Sequence, residues 1–112
     1  MTTVLSLNPG RAYDILDALE TTADTTSDAV ALPNHEGRIL TWQTSFAEEP
    51  DAVDLRLLAS IDGVNFVEID NTTLTTGDLR ELYPAAWTFV KVRQASRTGD
   101  DAFVTVTLLL QQ

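Results

Sequence analysis

Apolar and polar residues alternate with period two through much of this chain, and the clearest case runs from Asp54 to Asp70 (DLRLLASIDGVNFVEID). Leu55, Leu57 and Ala59 alternate with Asp54 and Arg56, which gives an incoming strand one apolar face. Asp62-Gly63 is a strong hairpin signal, and a second apolar run follows it. Past the turn the phase slips: Val64 and Phe66 fall on one face, Val67 and Ile69 on the other. A bulge near Phe66, or a loop longer than two residues, would absorb the slip.

Similar patterning recurs on both sides. Leu40, Trp42 and Phe46 share one face of RILTWQTSF, a strand entered from the Asn34-His35-Glu36-Gly37 turn and left through the charged turn Glu48 to Asp51. Val90 and Val92 point one way in WTFVKVRQA, and Val104, Val106, Leu108 and Leu110 do so in AFVTVTLLL, so these are predicted core faces. The two runs are joined by SRTGDD and are expected to form a closing hairpin. Residues 11–20 (RAYDILDALE) suit either a helix or a strand, and the strands that follow favour the strand. VLSL near the start is a strand or an arm toward a neighbouring subunit, broken by Asn8-Pro9-Gly10. In the long connection 71–86, Asp78 and Glu81 have capping-box spacing ahead of Pro84, which predicts one short helical turn near 79–83.

Short β-branched strands separated by turns every 8 to 15 residues or so predict an all-β fold, an antiparallel two-sheet β-sandwich of about seven or eight strands. No sustained βα alternation supports a parallel sheet. With 112 residues the chain has room for one domain. An N-terminal arm over 1–10 and a single sandwich over 11–112 are expected.

Charge narrows the partners. Seventeen acidic against seven basic residues give a net charge of −10, which argues against nucleic acid or an anionic membrane. Lys91 is the only lysine, and such an acid-rich surface stays hydrated in concentrated salt, as in a halophilic or marine protein. Without cysteine, neither a disulfide nor a thiolate metal site can staple the fold. The N-terminus lacks a basic segment ahead of a long apolar run, so no secretory signal is expected, and no window approaches a membrane span.

Catalytic chemistry is sparse. His35, the only histidine, sits in a turn with no nucleophile motif beside it, so no enzyme activity is expected. Asp100, Asp101 and Asp62 are oxygen ligands of the kind calcium accepts, but neither stretch has EF-hand spacing, and no metal or cofactor is expected. Asn71-Thr72-Thr73 is a glycosylation sequon that reads by default as loop.

Three pieces taken together, LPNHEGRILTWQTSF, LRLLASIDGVNFVEI and WTFVKVRQASRTGDDAFVTVTLLL, carry a resemblance over residues 28–110. The Ser-x-Asp-Gly-x-Asn-aromatic hairpin (Ser60 to Phe66), the aromatic-Val-Lys-Val strand (Phe89 to Val92) and the terminal Val-Thr-Val-Thr strand (Val104 to Thr107) are similar to small virion proteins of tailed bacteriophages and archaeal tailed viruses. Phe66 stands where tryptophan is frequent in that pattern, and the Tyr83-bearing insertion departs from it. The resemblance implies a jelly-roll-like sandwich and a non-enzymatic role on the virion. A capsid decoration or cement protein is expected, a homo-oligomer with a trimer as the commonest geometry, bound to the major capsid protein or another virion protein. The alternative is a receptor- or carbohydrate-binding module of a head fibre or tail.

Period two gives that role a surface. If the valines of the last two strands face inward, Trp87, Phe89, Lys91 and Arg93 face outward on one strand, and Phe103 and Leu109 on the other. Paired as a hairpin, they would make an apolar patch ringed by cations, with the composition of a protein interface.

Overall fold

A computed structural model describes residues 5–33, 39–83 and 87–111 of the chain. The alternating run before Asp62 forms β6 (Ala52–Ser60), with Leu55 and Leu57 fully buried and Arg56 and Leu58 turned the other way. β7 (Val67–Thr72) returns antiparallel beside it. A six-residue loop, 61–66, takes up part of the phase slip. The remainder is taken up by a register shift opposite Leu57 and Leu58 that leaves Ile69 as an extra residue in β7.

The other strands are β1 (Leu5–Ser6), β2 (Tyr13–Leu19), β3 (Thr25–Thr26), β4 (Val30–Ala31), β5 (Ile39–Phe46), β8 (Asp78–Leu82), β9 (Phe89–Thr98) and β10 (Val104–Gln111). One sheet runs β1-β4-β9-β6-β7, with β3 also on β9, and the other runs β2-β10-β5-β8. With β1 and β3 set aside, eight strands remain. The first, last, third and sixth of them make one sheet (β2-β10-β5-β8), and the second, seventh, fourth and fifth make the other (β4-β9-β6-β7). That is the strand order of a jelly roll, so the all-β sandwich expectation holds, with ten strands among the described residues in place of seven or eight. Residues 13–19 are strand. Leu5–Ser6 pairs in parallel with β4 of the same chain, and Leu7 beyond it is buried.

Two expectations fail. Residues 78–82 form a strand, not a helical turn, because β8 pairs through all five residues with β5. One helical turn gains a single hydrogen bond for the dihedrals it fixes, and a ladder along an existing strand gains more. The last two strands do not form a hairpin. β9 pairs with β6, β4 and β3, β10 pairs with β5 and β2, and the 99–103 segment crosses from one sheet to the other. Val90 and Val92 therefore meet Val104, Val106 and Leu108 across the core, all of them fully buried. Stacking two apolar faces removes both from water, whereas side-by-side pairing would have left both uncovered.

Polar groups close the two sides of the sandwich. On one side the bulge at Ile69 brings the carboxylate of Asp70 against the opposite sheet, where Oδ2 accepts from Trp42 Nε1 (2.9 Å) and Arg80 Nε (2.7 Å). Asp78 joins this seam through Thr72 Oγ1 (2.7 Å) and Arg80 Nη1 (3.4 Å). On the other side Gln94 and Arg97, both buried, hold the backbone of the 19–23 segment.

The seam makes stability depend on acid. Burial alone would raise the Asp70 carboxyl, but hydrogen bonds from Arg80 and Trp42 outweigh it and hold the group below its ordinary value. Asp78 is lowered as well, chiefly by the Thr72 hydroxyl. A carboxylate whose folded pKa is depressed stabilises the fold fully above the unfolded value, near 4, and loses that contribution as pH falls through the folded value. The thermal midpoint is expected to stay level from about pH 7 to 5 and to drop below about pH 4. Asp70→Asn should lower the midpoint at neutral pH and make the acid drop shallower, which a melting series against pH would show.

Candidate docking surface

The Ser60-x-Asp62-Gly63-x-Asn65 motif folds its own loop. Asp62 Oδ1 accepts from the Val64 and Asn65 N–H groups, both at 2.8 Å, and from the Ser60 hydroxyl at 2.8 Å. Oδ2 accepts from the Asn65 amide at 2.9 Å. Ser60 Oγ in turn accepts from the Gly63 N–H at 2.9 Å. The backbone N–H groups of Asn65 and Val64, followed by the two side chains, hold the Asp62 carboxyl far below the usual carboxylate range. It therefore remains an anion that pins a turn, and its oxygens are spent within that turn. Gly63 has φ 76°, and a Cβ there would lie 3.1 Å from the Phe89 ring. Glycine thus serves both the backbone conformation and the close approach to Phe89.

Behind this loop the outward face of the first sheet is closed residue by residue. Phe89 lies under Gly63, and Lys91 Nζ sits 4.0 Å from the centre of the Phe66 ring, a cation–π contact. Arg93 grips Asp24 with two hydrogen bonds. Arg56, opposite Arg93 in the ladder, bonds Asp54 at 2.9 Å and lies 3.4 Å from Glu68. The Arg93 hydrogen bond, opposed in part by desolvation, lowers the Asp24 carboxyl. Three cations and three carboxylates cancel on this face, so the net charge of −10 is carried by the remainder of the chain.

The pinned loop holds apolar groups in water. Ile61, Val64 and Val67 are 70%, 78% and 67% exposed. Beside them opens a trough of about 330 Å³ walled by Ile61, Val67, Ile69 and Trp87, with Ser60 and Asn65 on its polar side. Burying such side chains against a partner is worth about 1.5–3 kcal/mol each when complete. Because the loop is already fixed by Asp62, little ordering entropy opposes docking there.

The six residues expected to form one patch are divided. Phe89, Lys91 and Arg93 share the outward face of β9, as their parity required. Trp87 is half-buried, packs against the core and lines the trough. Leu109 belongs to the second sheet, opposite Thr41, and Phe103 lies just ahead of that strand, where its C=O accepts from Ala47 N–H. Trp87 and Phe89 therefore do not approach Leu109 or Thr107. The tip residues Ile61, Val64 and Val67 were missed, although the phase slip around Asp62-Gly63 was their signal: Ile61 and Val64 are apolar residues in a turn that no strand face absorbs, and Val67 opens β7 beyond it. His35 and Pro84 lie outside the described residues, as do residues 1–4 of the expected arm.

Among the described residues no group of three or more His, Asp or Glu side chains is placed to hold a metal ion. Asp62, a candidate calcium ligand, is engaged within its own turn, and Asp100 and Asp101 occupy the turn after Gly99. Asn71 is exposed on β7, and its amide bonds Glu68 Oε2. Compared with known proteins, the chain matches no family model and no curated sequence.

Proposed function

We propose that this chain is a non-enzymatic structural protein of a virion, a capsid decoration protein that docks on coat subunits through the 61–67 tip and the adjoining trough. The observation that carries the reading is a rigid apolar tip beside the charge-balanced face of a protein whose remaining surface is strongly acidic. Docking there buries aliphatic side chains beside the Asp62 carboxylate, whose oxygens are already hydrogen-bonded within its own turn, and leaves the other acidic surfaces in solvent. The motif resemblance over residues 28–110 supports the virion assignment, and viral capsid domains are among those built on the jelly roll. The assembly is expected to be oligomeric on the shell, a trimer being the commonest geometry for such a role.

Purified capsids of the encoding virus test it by co-sedimentation. Binding should saturate in proportion to coat copies, and Val64→Asp should weaken it by about tenfold or more, on the scale of an apolar anchor, with no change in melting. Failure of the native protein to co-sediment, or full binding by Val64→Asp, would refute the assignment.

Lectin domains share the jelly roll, and the trough places the half-buried Trp87 ring near Asn65 and Ser60, an arrangement that fits a sugar face. A carbohydrate-binding module of a fibre or tail is therefore the second reading. Quenching of Trp87 fluorescence by a glycan panel, lost in Trp87→Phe, would favour it.

A further inference from the structure

Four of the five edge strands among the described residues carry features that hinder pairing with another chain. β1 and β3 are two residues long, β2 breaks register twice against β10 and holds Ala18 at φ 47°, and β7 is bulged at Ile69. β8 lacks such protection. It runs through Asp78–Leu82 in unbroken register with β5, contains no glycine, proline or lysine, and has no strand on its other side among the described residues. Leu79 is 65% exposed, and Tyr83 just beyond the strand is 74% exposed.

Backbone groups along an antiparallel strand point alternately to its two sides. Asp78 directs its N–H to Thr44 Oγ1 on β5 (2.9 Å), so Arg80 and Leu82 also face β5, and Leu79 and Glu81 face the open edge. Only the Leu79 N–H is capped there, by Asp78 Oδ1 at 2.9 Å.

We propose that β8 is a self-association edge: two copies pair antiparallel through it about a two-fold axis at Leu79, joining their second sheets into one. The charges choose this register. It sets Leu79 against Leu79 of the partner subunit on the outer face and Asp78 against Arg80 of the partner subunit on the inner face. A two-fold axis at Arg80 or at Glu81 sets like charge against like. Pairing also settles the capped group, because the Leu79 N–H gains the C=O of the partner subunit's Leu79 and Asp78 Oδ1 is released to the partner subunit's Arg80. The contact leaves the 61–67 tip free and does not rest on the virion reading.

The absence of cysteine makes the test direct, because Leu79→Cys creates a lone thiol on the two-fold axis. Hydrogen-bonded antiparallel partners have Cα atoms about 5.5 Å apart, within disulfide range. Under mild oxidation Leu79→Cys should form a covalent dimer about tenfold faster than Ser96→Cys, a thiol exposed on β9 in the other sheet. Adding Glu81→Pro, which removes only an edge-facing N–H, should return the rate to the control. The unsubstituted protein should sediment as a monomer–dimer equilibrium that Leu79→Asp shifts to monomer with melting unchanged. Equal rates for the two thiols, or an unsubstituted protein that remains monomeric up to about millimolar concentration, would overturn the proposal.

Discussion

Trp42→Ala is expected to cost about 3–5 kcal/mol, a large part of the 5–15 kcal/mol that holds a domain of this size. The ring is 1% exposed and is the largest fully buried side chain, so its loss removes more apolar contact than any other single truncation in the core. It also strands a polar group, because Asp70 Oδ2 loses the indole N–H at 2.9 Å and keeps only Arg80. Trp42→Phe separates the two contributions: it keeps most of the ring volume and drops the hydrogen bond, and it should cost about 1–2 kcal/mol. Urea unfolding should show both variants with a lower midpoint and an unchanged slope, since the surface exposed on unfolding hardly changes. If Trp42→Ala costs no more than Trp42→Phe, the indole hydrogen bond and not the packing would be the dominant contribution.

How much of this could be read from the residues follows from the range of each signal. The β6 alternation and the inward valines of β9 and β10 are properties of single strands, and each strand has the buried face its period assigned. Which strands are neighbours is a property of pairs, and there the sequence is ambiguous. Two runs with one apolar face each can pair edge to edge or stack face to face, and a Gly-Asp-Asp turn serves either arrangement. The core decides for stacking, because only then are Val90, Val92, Val104 and Val106 all removed from water. Likewise the capping-box spacing of Asp78 and Glu81 is a true local signal, outweighed by a strand, β5, that lies more than thirty residues earlier in the chain. In the β8 strand Asp78 still caps a backbone N–H, that of Leu79.

The candidate docking surface shows the same division. Its cations were legible because parity places Lys91 and Arg93 outward whatever the sheet does. Their partners were not, because Asp24 reaches Arg93 from a loop and the Phe66 ring reaches Lys91 from another. The motif around Asp62 signalled a turn. That the turn holds Ile61 and Val64 in water beside Val67 of β7 follows from the hydrogen bonds that fix it, and no periodicity encodes those.

Arg97→Ala should be the second large loss, about 3 kcal/mol, for reasons that no apolar pattern reveals. Arg97 is 4% exposed, and its guanidinium bonds no carboxylate. Nη1 donates to Leu19 C=O (2.8 Å) and Gln94 Oε1 (3.1 Å), Nη2 donates to Glu20 C=O (2.8 Å), and Nε has no partner among the described residues. Burial pushes its pKa down, but an arginine keeps its proton, so these acceptors hold a charge that water has left. Removing the side chain opens a cavity beside β9 and orphans Gln94 Oε1, whose residue is fully buried. Arg97→Met refills the volume without the donors and should recover about half of the loss. Arg97→Lys should reveal the charge itself. A lysine cannot span the three acceptors, and burial would depress its folded pKa below the unfolded value near 10.4. The unfolded state then binds more protons, so stability of that variant should rise as pH is raised from about 7 to 9, while the native protein shows no such gain. Equal pH dependence in the two proteins would mean that the site is wet enough to solvate an ammonium group.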